Sequence, residues 1–307
     1  MTVATPLNLS QDVFARGKAF WNNYLKGRPS APDVFFERFF RYHEEHGGRF
    51  DIVHDVGAGN GPYAAILRSK FRHVIISDVV SDNVALARER LGTDGFSYRT
   101  ARVEDAGDIP NSSVDMVFAT NVMHFCEQEL AMEAIAKQLR PGGTFTCAVF
   151  GAACFDDPRL QDTYTRIGHV GARALLQQVN DPERMIVAMA RTQGPYNVAP
   201  LDETLFLPGA QRINLNMPDG GIISPLPPEM RIDEPIHTGL NDIEVFEREE
   251  GWSFVTDLNG VREHIASFPF GRDFGVFADL WQEVEKLVGN EKVKGSWPAK
   301  IILATRK

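Results

Sequence analysis

The sequence predicts an α/β fold, a parallel sheet carrying helices on both faces, and three observations point to it. Between residues 51 and 150 short apolar runs alternate with segments of helical period. Each link between successive runs is long enough to cross over a sheet, which is the βαβ arrangement that makes strands parallel. A glycine-rich turn, Gly57-Ala58-Gly59-Asn60-Gly61, lies where the first run gives way to the first helix. The chain has 307 residues, 43% apolar and 24% charged, enough for two domains or for one large domain with an insertion.

Ahead of the alternation, residues 1–48 read as a helical cap. Over 11–26 the apolar Val13, Phe14, Phe20, Trp21, Tyr24 and Leu25 recur at spacings of one helical face. Gly27 and Pro29 stop that helix, and Ser30-Ala31-Pro32-Asp33 has the form of a capping box for a second, which carries Phe35, Phe36, Phe39, Phe40 and His43 on one side. Strands follow at 52–56, 73–77, 96–100, 114–119 and 144–150, with helices at 62–69, 83–91 and 127–139. A helical stretch over 158–191 comes next, and then 194–240 holds eight of the chain's 18 prolines. Proline at that density argues against central strands and long helices, so an extended, turn-rich segment is expected there. Residues 151–241 thus read as a lid over a substrate. A strand near 243–248, helices near 258–267 and 277–288, and a strand at 299–304 complete seven strands, so that 49–150 and 242–307 form the main domain.

Charge excludes some functions. The formal net charge is −9 and no block of Lys and Arg occurs, which argues against nucleic acid or an anionic membrane surface as partner. The longest strongly apolar stretch, near 145–155, is about half of the roughly 20 residues that span a bilayer. Met1-Thr2-Val3-Ala4-Thr5 lacks the basic and apolar regions of a signal peptide, so a cytoplasmic protein is expected. Cys126, Cys147 and Cys154 show no C-x-x-C spacing and are expected in the core rather than in disulfides. His54, His124, His169, His237 and His264 are too scattered to place two ligands on one helical face, so no metal site is expected.

The glycine turn selects a ligand. It sits where a backbone passes close under a nucleotide-like molecule. Its spacing is G-x-G-x-G rather than the G-x-G-x-x-G of dinucleotide loops, and Asp55 stands two residues before the first glycine. A carboxylate there repels a pyrophosphate and attracts a cation. Asp78 closes the second strand, where an acid commonly takes both hydroxyls of a ribose. The ligand implied is a nucleoside with positive charge and no phosphate, a description that S-adenosylmethionine meets.

Asp55-Val56-Gly57-Ala58-Gly59-Asn60-Gly61, Ser77-Asp78, Val114-Asp115-Met116-Val117 and Leu139-Arg140-Pro141-Gly142-Gly143-Thr144 together resemble the class I S-adenosylmethionine-dependent methyltransferases over about residues 50–150. More narrowly, Tyr24-x-x-x-Arg28-Pro29, His124-Phe125 and the long insertion look like the fungal trans-aconitate methyltransferase group. That group often has His-Trp at the second of these positions and Tyr-Pro where this chain has Ser30-Ala31-Pro32. The resemblance implies a Rossmann-like, seven-stranded, mostly parallel sheet with an antiparallel last strand, a helical N-terminal cap and a lid after the fifth strand. It implies S-adenosylmethionine as cofactor and a small molecule as acceptor, and leaves a homodimer open.

Residue by residue, the resemblance sets Gly57, Ala58, Gly59 and Gly61 beside the methionine part of the cofactor and Asp55 near its ammonium group. Asp78 and Val79 fall to the ribose, with support of the next helix N-terminus as the alternative for Asp78, and Val103 and Glu104 fall to the adenine. Asn121 and Val122 follow the fourth strand, at the carboxyl edge where ligands bind in open α/β sheets. His124 beside them is the candidate general base, or else a residue that shapes the pocket. Tyr24 and Arg28 close over the cofactor's carboxylate, hold an acidic substrate, or only pack. Arg159, Arg166, Arg173, Arg184 and Arg191 in the insertion are candidate partners for an acidic substrate or plain surface residues. The function expected is O-methylation of a carboxylate or hydroxyl on an organic acid or specialised metabolite. The alternative is a non-methylating cyclisation or dehydration in the same pocket.

Overall fold

The alternation over 51–150 becomes the parallel half of an eight-stranded sheet in the computed structural model, which describes residues 18–271 and 273–307. Val13, Phe14 and the first residues lie outside the described part. The first cap helix is seen as α1 (Lys18–Gly27), followed by α2 (Asp33–Glu45). The sheet strands of the first half are β1 (Ile52–Val56), β2 (His73–Asp78), β3 (Phe96–Thr100), β4 (Val114–Thr120) and β5 (Leu139–Phe150). Helices α3 (Ala64–Lys70), α4 (Ser81–Leu91) and α5 (Gln128–Gln138) connect them. Helix α2 opens without the expected capping box: Pro32 is its N-cap, no side chain caps it, and the Phe35 amide donates to the Pro32 carbonyl at 2.9 Å.

Period-two burial explains why this sheet is a middle layer. On one face Val53, Met116, Phe118, Ala148, Phe150, Ile301 and Leu303 pack against α2, where Phe35 and Phe39 are fully buried. Val56, Val117, Ala119, Phe145, Cys147, Val149, Ile302 and Ala304 point the other way. There they meet Ala131, Met132 and Ile135 of α5 and an irregular stretch that contributes Tyr196, Val198, Ala199 and Phe206. Each buried Phe contributes about 2–3 kcal/mol. Cys126 and Cys147 are buried free thiols in this layer.

The sheet has eight strands where seven are expected. Its order is β3-β2-β1-β4-β5-β11-β7-β8, with β7 (Gln211–Leu215), β8 (Ile243–Glu247) and β11 (Ala299–Thr305) completing it. Strand β11 is antiparallel to both β5 and β7, as the expected last strand is, while β7 and β8 run parallel to each other. The extra strand, β7, comes from the proline-rich segment, in which residues 209–217 contain no proline. Two buried cations tie it down. The Arg212 guanidinium pairs with Asp242 at 2.5 Å and donates to the His237 carbonyl at 2.8 Å, and the Lys300 ammonium meets Asn214 Oδ1 at 2.9 Å and Glu244 at 3.2 Å.

Above the carboxyl ends of the strands sits a cap drawn from three parts of the chain. Besides α1 it holds α6 (Pro158–Leu176), α7 (Pro182–Arg191), α8 (Leu258–Ala266) and α9 (Ala278–Val288). A small antiparallel sheet joins them, in the order β6 (Cys154–Phe155), β10 (Val293–Ser296), β9 (Ser253–Thr256). Three of these helices start on an aspartate whose side chain accepts from the first turn: Asp157 from Arg159 and Leu160, Asp181 from Arg184, Asp257 from Gly260. Helices α8 and α9, expected from sequence position to serve the main sheet, instead share a core with α6 through Val261, Ile265, Trp281, Val284, Leu160 and Ile167. Gly27 lets α1 cross α8 closely, since a Cβ there would stand 2.1 Å from the Glu263 carbonyl oxygen.

Candidate active site

Strand β1 delivers its last residues into a turn built from left-handed glycines. Gly57, Gly59 and Gly61 have φ of 62°, 56° and 70°, which only glycine adopts cheaply. The turn is pinned by the Ala58 amide on the Ser77 carbonyl at 2.9 Å and the Gly61 amide on the Ala58 carbonyl at 2.8 Å. Space at the first two glycines is taken by protein, not left to a ligand. A Cβ on Gly57 would lie 2.2 Å from Val122, and one on Gly59 2.4 Å from the Trp21 ring.

Eleven of the sequence-predicted cofactor residues line one open cavity of about 1030 Å³: Tyr24, Asp55, Gly57, Ala58, Gly59, Asp78, Val79, Val103, Glu104, Asn121 and Val122. Asp55 is buried, and its Oδ2 has no hydrogen-bond partner among the described residues. Burial, reinforced by the Asp78 charge, pushes the Asp55 carboxyl well above the usual carboxylate range. An orphaned carboxyl oxygen in this cavity can be satisfied by a cationic ligand, and S-adenosylmethionine carries such charge on its ammonium and sulfonium groups. Asp78 is held from three sides: Oδ2 accepts from the Gly59 amide at 2.9 Å, and Oδ1 from the Val80 amide at 2.9 Å and Asn83 Nδ2 at 3.3 Å. Burial raises its pKa against those three bonds, which lower it. Arg102 pairs with Glu104 at 2.9 Å, and the Glu127 amide donates to the same carboxylate at 2.8 Å.

Asn121 closes β4 in the left-handed region at φ 56° and ties β4 to β5, its side-chain oxygen accepting from the Phe150 amide at 3.0 Å. It belongs to a second cavity as well, open and of about 1180 Å³, which shares Tyr24, Asn121 and Phe125 with the first. His124 and Arg28 line only this second cavity. Its other walls are mostly apolar, among them Tyr164, Met185, Met189, Phe268 and Phe270, and among the described residues no Asp or Glu lines it. Burial, with Arg191 and Arg28 adding to it, depresses the pKa of His124 to about 3, so its ring is neutral at pH 7. Its Nδ1 lies 3.4 Å from the Tyr196 hydroxyl.

Sequence reasoning missed several residues here. Asn83 is buried and joins Asp78 to Trp21, whose Nε1 donates to Asn83 Oδ1 at 2.8 Å. Trp21, expected in the core, is buried and also lines the first cavity. Thr120 Oγ1 is buried there without a hydrogen-bond partner among the described residues. Asn83 stands five residues after Asp78, in the first turn of α4, and that spacing was the available signal. The aromatic walls from Phe268 and Phe270 had none, because they arrive from the far end of the chain.

A methyltransferase-domain family matches residues 54–147. Methyltransferase AacuQ of Aspergillus aculeatus is 66% identical over 307 residues, covering 100% of this chain and 99% of its own length. A methyltransferase of Claviceps purpurea is 58% identical, covering 99% and 97%, and methyltransferase tpcM of Aspergillus fumigatus is 54% identical, covering 99% and 97%. Among solved structures, a protein described as a type II methyltransferase from Anaeromyxobacter dehalogenans superposes with a TM-score of 0.56 at 19% identity, over 91% of this chain and 97% of its own, a likeness of fold.

Proposed function

The chain belongs to the class I S-adenosylmethionine-dependent methyltransferases, and from that premise we propose that it O-methylates the carboxylate of a small organic acid. The cofactor supplies an electrophilic methyl group on a sulfonium. The observation that carries the reading is the pairing of two contiguous cavities of opposite character. One is lined by the acids Asp55, Asp78 and Glu104, its two arginines, Arg102 and Arg184, being paired with Glu104 and Glu127, and the other holds Arg28 among mostly apolar walls with no Asp or Glu among the described residues.

That arrangement suits a cation in the first cavity and an anion in the second. Asp55 takes the cofactor's ammonium group, Asp78 with Val79 its ribose, Val103 and Glu104 its base, and Asn121 lies where the two cavities meet, with Val122 beside it in the first. Transfer forms a bond from a carboxylate oxygen to the methyl carbon while the carbon–sulfur bond breaks and its electron pair stays on sulfur. Both charges disappear in that step. A mostly apolar cavity therefore favours it over water, and alignment of the two reactants supplies much of the rate.

A carboxylate also fits His124. A phenol acceptor, with a pKa near 10, would have to give its proton to a ring whose own pKa is about 3. That transfer is uphill. A carboxylate is already ionised at pH 7 and needs no base, so His124 serves as a neutral polar group in the wall. Incubation with S-adenosylmethionine and a panel of organic acids tests the reading. The expected product is a methyl ester, heavier than the acid by one CH₂ and cleaved by mild alkali. Methyl ethers of hydroxy compounds with no ester formed would refute it.

A further inference from the structure

The five arginines of the insertion are natural candidates for an anionic acceptor, and each is already neutralised. Arg159 pairs with Asp157 at 3.0 Å, Arg166 with Glu283 at 3.1 Å, Arg173 with Glu229 at 2.5 Å, Arg184 with Glu127 at 2.9 Å and Arg191 with Glu234 at 2.7 Å. Arg28 differs from all of them. Among the described residues no carboxylate lies within ion-pair distance of it, and its Nε is buried without a hydrogen-bond partner. The guanidinium is instead stacked at 4.0 Å on the Phe268 ring and 5.1 Å from that of Tyr24. A cation left unpaired beside an apolar cavity is costly unless a ligand brings the opposite charge.

Several groups hold Arg28 where it is. Its amide donates to the Tyr24 carbonyl at 3.0 Å. The preceding carbonyl, of Gly27, is bonded to His264 Nδ1 at 2.8 Å, and His264 Nε2 meets the Tyr164 hydroxyl at 2.9 Å, so the chain just before Arg28 is tied to α8 and through it to α6. Gly151, just past β5, has φ 141° and leaves the space the guanidinium fills, since a Cβ there would stand 2.2 Å from Arg28 Nη1. The guanidinium lines the acceptor cavity and not the cofactor cavity.

We propose that Arg28 is the specificity-determining residue of the acceptor cavity: its guanidinium binds the carboxylate of the acceptor, not that of the cofactor. This rests on the carboxylate-methylating reading above. A planar fork on a planar carboxylate also fixes which oxygen faces the methyl group, because two parallel hydrogen bonds leave little freedom of rotation. Charge alone does not do this, so lysine is an incomplete substitute.

Calorimetry on the full chain tests the assignment with two kinds of probe. S-adenosylhomocysteine carries the cofactor's carboxylate. Naphthalene-2-carboxylate and its uncharged amide, titrated into protein saturated with S-adenosylhomocysteine, stand for the acceptor. The wild type is expected to bind the carboxylate at least tenfold more tightly than the amide. Arg28→Gln should weaken the carboxylate roughly 30-fold and leave the amide and S-adenosylhomocysteine within about threefold, with Arg28→Lys falling between. Retained binding of S-adenosylhomocysteine also shows that the variant folds. Gly151→Ala, which displaces the guanidinium without removing it, should weaken the carboxylate in the same way. Loss of S-adenosylhomocysteine affinity in Arg28→Gln with the carboxylate unchanged would overturn the assignment, as would wild-type protein that binds neither naphthalene probe or both equally. Failure of the underlying reading looks different: no methyl ester forms with any acid, whatever the Arg28 variants bind.

Discussion

Replacing Asp55 by Asn should weaken the cofactor and stabilise the free protein at the same time. The carboxyl is buried, Oδ2 has no partner among the described residues, and burial raises its pKa well above the usual range. With the cofactor bound, that oxygen gains a charged hydrogen bond of about 1.5–3 kcal/mol, so Asp55→Asn should lower affinity for S-adenosylhomocysteine roughly 10- to 150-fold. The sign of the pH dependence follows from the raised pKa. Binding a cation favours the ionised carboxylate, so the wild type releases a proton on binding wherever Asp55 is protonated when free. Affinity should therefore rise from pH 5 upward and level off above the free-state pKa, and Asp55→Asn should remove this slope. Stability runs the other way. A group whose folded pKa lies above its unfolded value of about 3.9 stabilises the fold fully below that value and loses this contribution as pH rises through the folded pKa. At pH 8 the free wild type carries that loss and the Asn variant does not, a difference of about 1–3 kcal/mol, or roughly 2–6 °C in Tm. Calorimetric titration across pH and thermal unfolding without cofactor measure both effects. An Asp55→Asn protein with unchanged affinity and unchanged slope would refute the reasoning.

Other expectations follow from named contacts. Gly57→Ala meets both a left-handed φ of 62° and the Val122 side chain at 2.2 Å, so it should abolish measurable cofactor binding while circular dichroism still shows a folded chain. Trp21→Phe removes the bond to Asn83 that steadies Asp78 and should weaken S-adenosylhomocysteine about tenfold by calorimetry. Asp242→Ala leaves the Arg212 guanidinium buried without its carboxylate and should lower stability by about 3–5 kcal/mol, read as a reduced urea midpoint. His54 is fully buried between Gln138 and Ser77, and burial depresses its pKa to about 4. The unfolded chain takes up a proton near pH 6.5 and the folded one does not until about pH 4, so stability should fall over that interval by up to about 3 kcal/mol. His54→Gln should flatten that part of the pH–stability curve.

Legibility in the sequence tracked how local the cause was. Strands β1 to β5 and their helices were readable because period-two and helical burial patterns are written over five to twelve consecutive residues. The glycine turn and Asp78 were readable because one strand end and one turn bring them together. Strand β7 was hidden by proline density averaged over 194–240, although the stretch between Pro208 and Pro218 is free of it. Its partner strand β11 lies some ninety residues further on, and its buried Arg212 gave no hint of a strand until Asp242 closed on it. Helices α8 and α9 were placed correctly along the chain, but the core they joined depended on α6, far away in sequence.

By itself the sequence determined the α/β class, the glycine loop and a nucleoside cofactor of positive charge, and it singled out Asp55 and Asp78 beside that loop. Each follows from residues near one another in the chain, where backbone geometry leaves few alternatives. Only the tertiary structure decided which cavity each polar residue faces. Tyr24 and Arg28 stand one turn apart in the same motif, and yet Tyr24 borders both cavities while Arg28 borders only the second. The insertion's arginines, equal candidates in the sequence, are each paired with a carboxylate, within the insertion or from outside it, and among the described residues Arg28 is not. Charge compensation acts over a few ångströms of space, and a one-dimensional pattern carries no record of that distance.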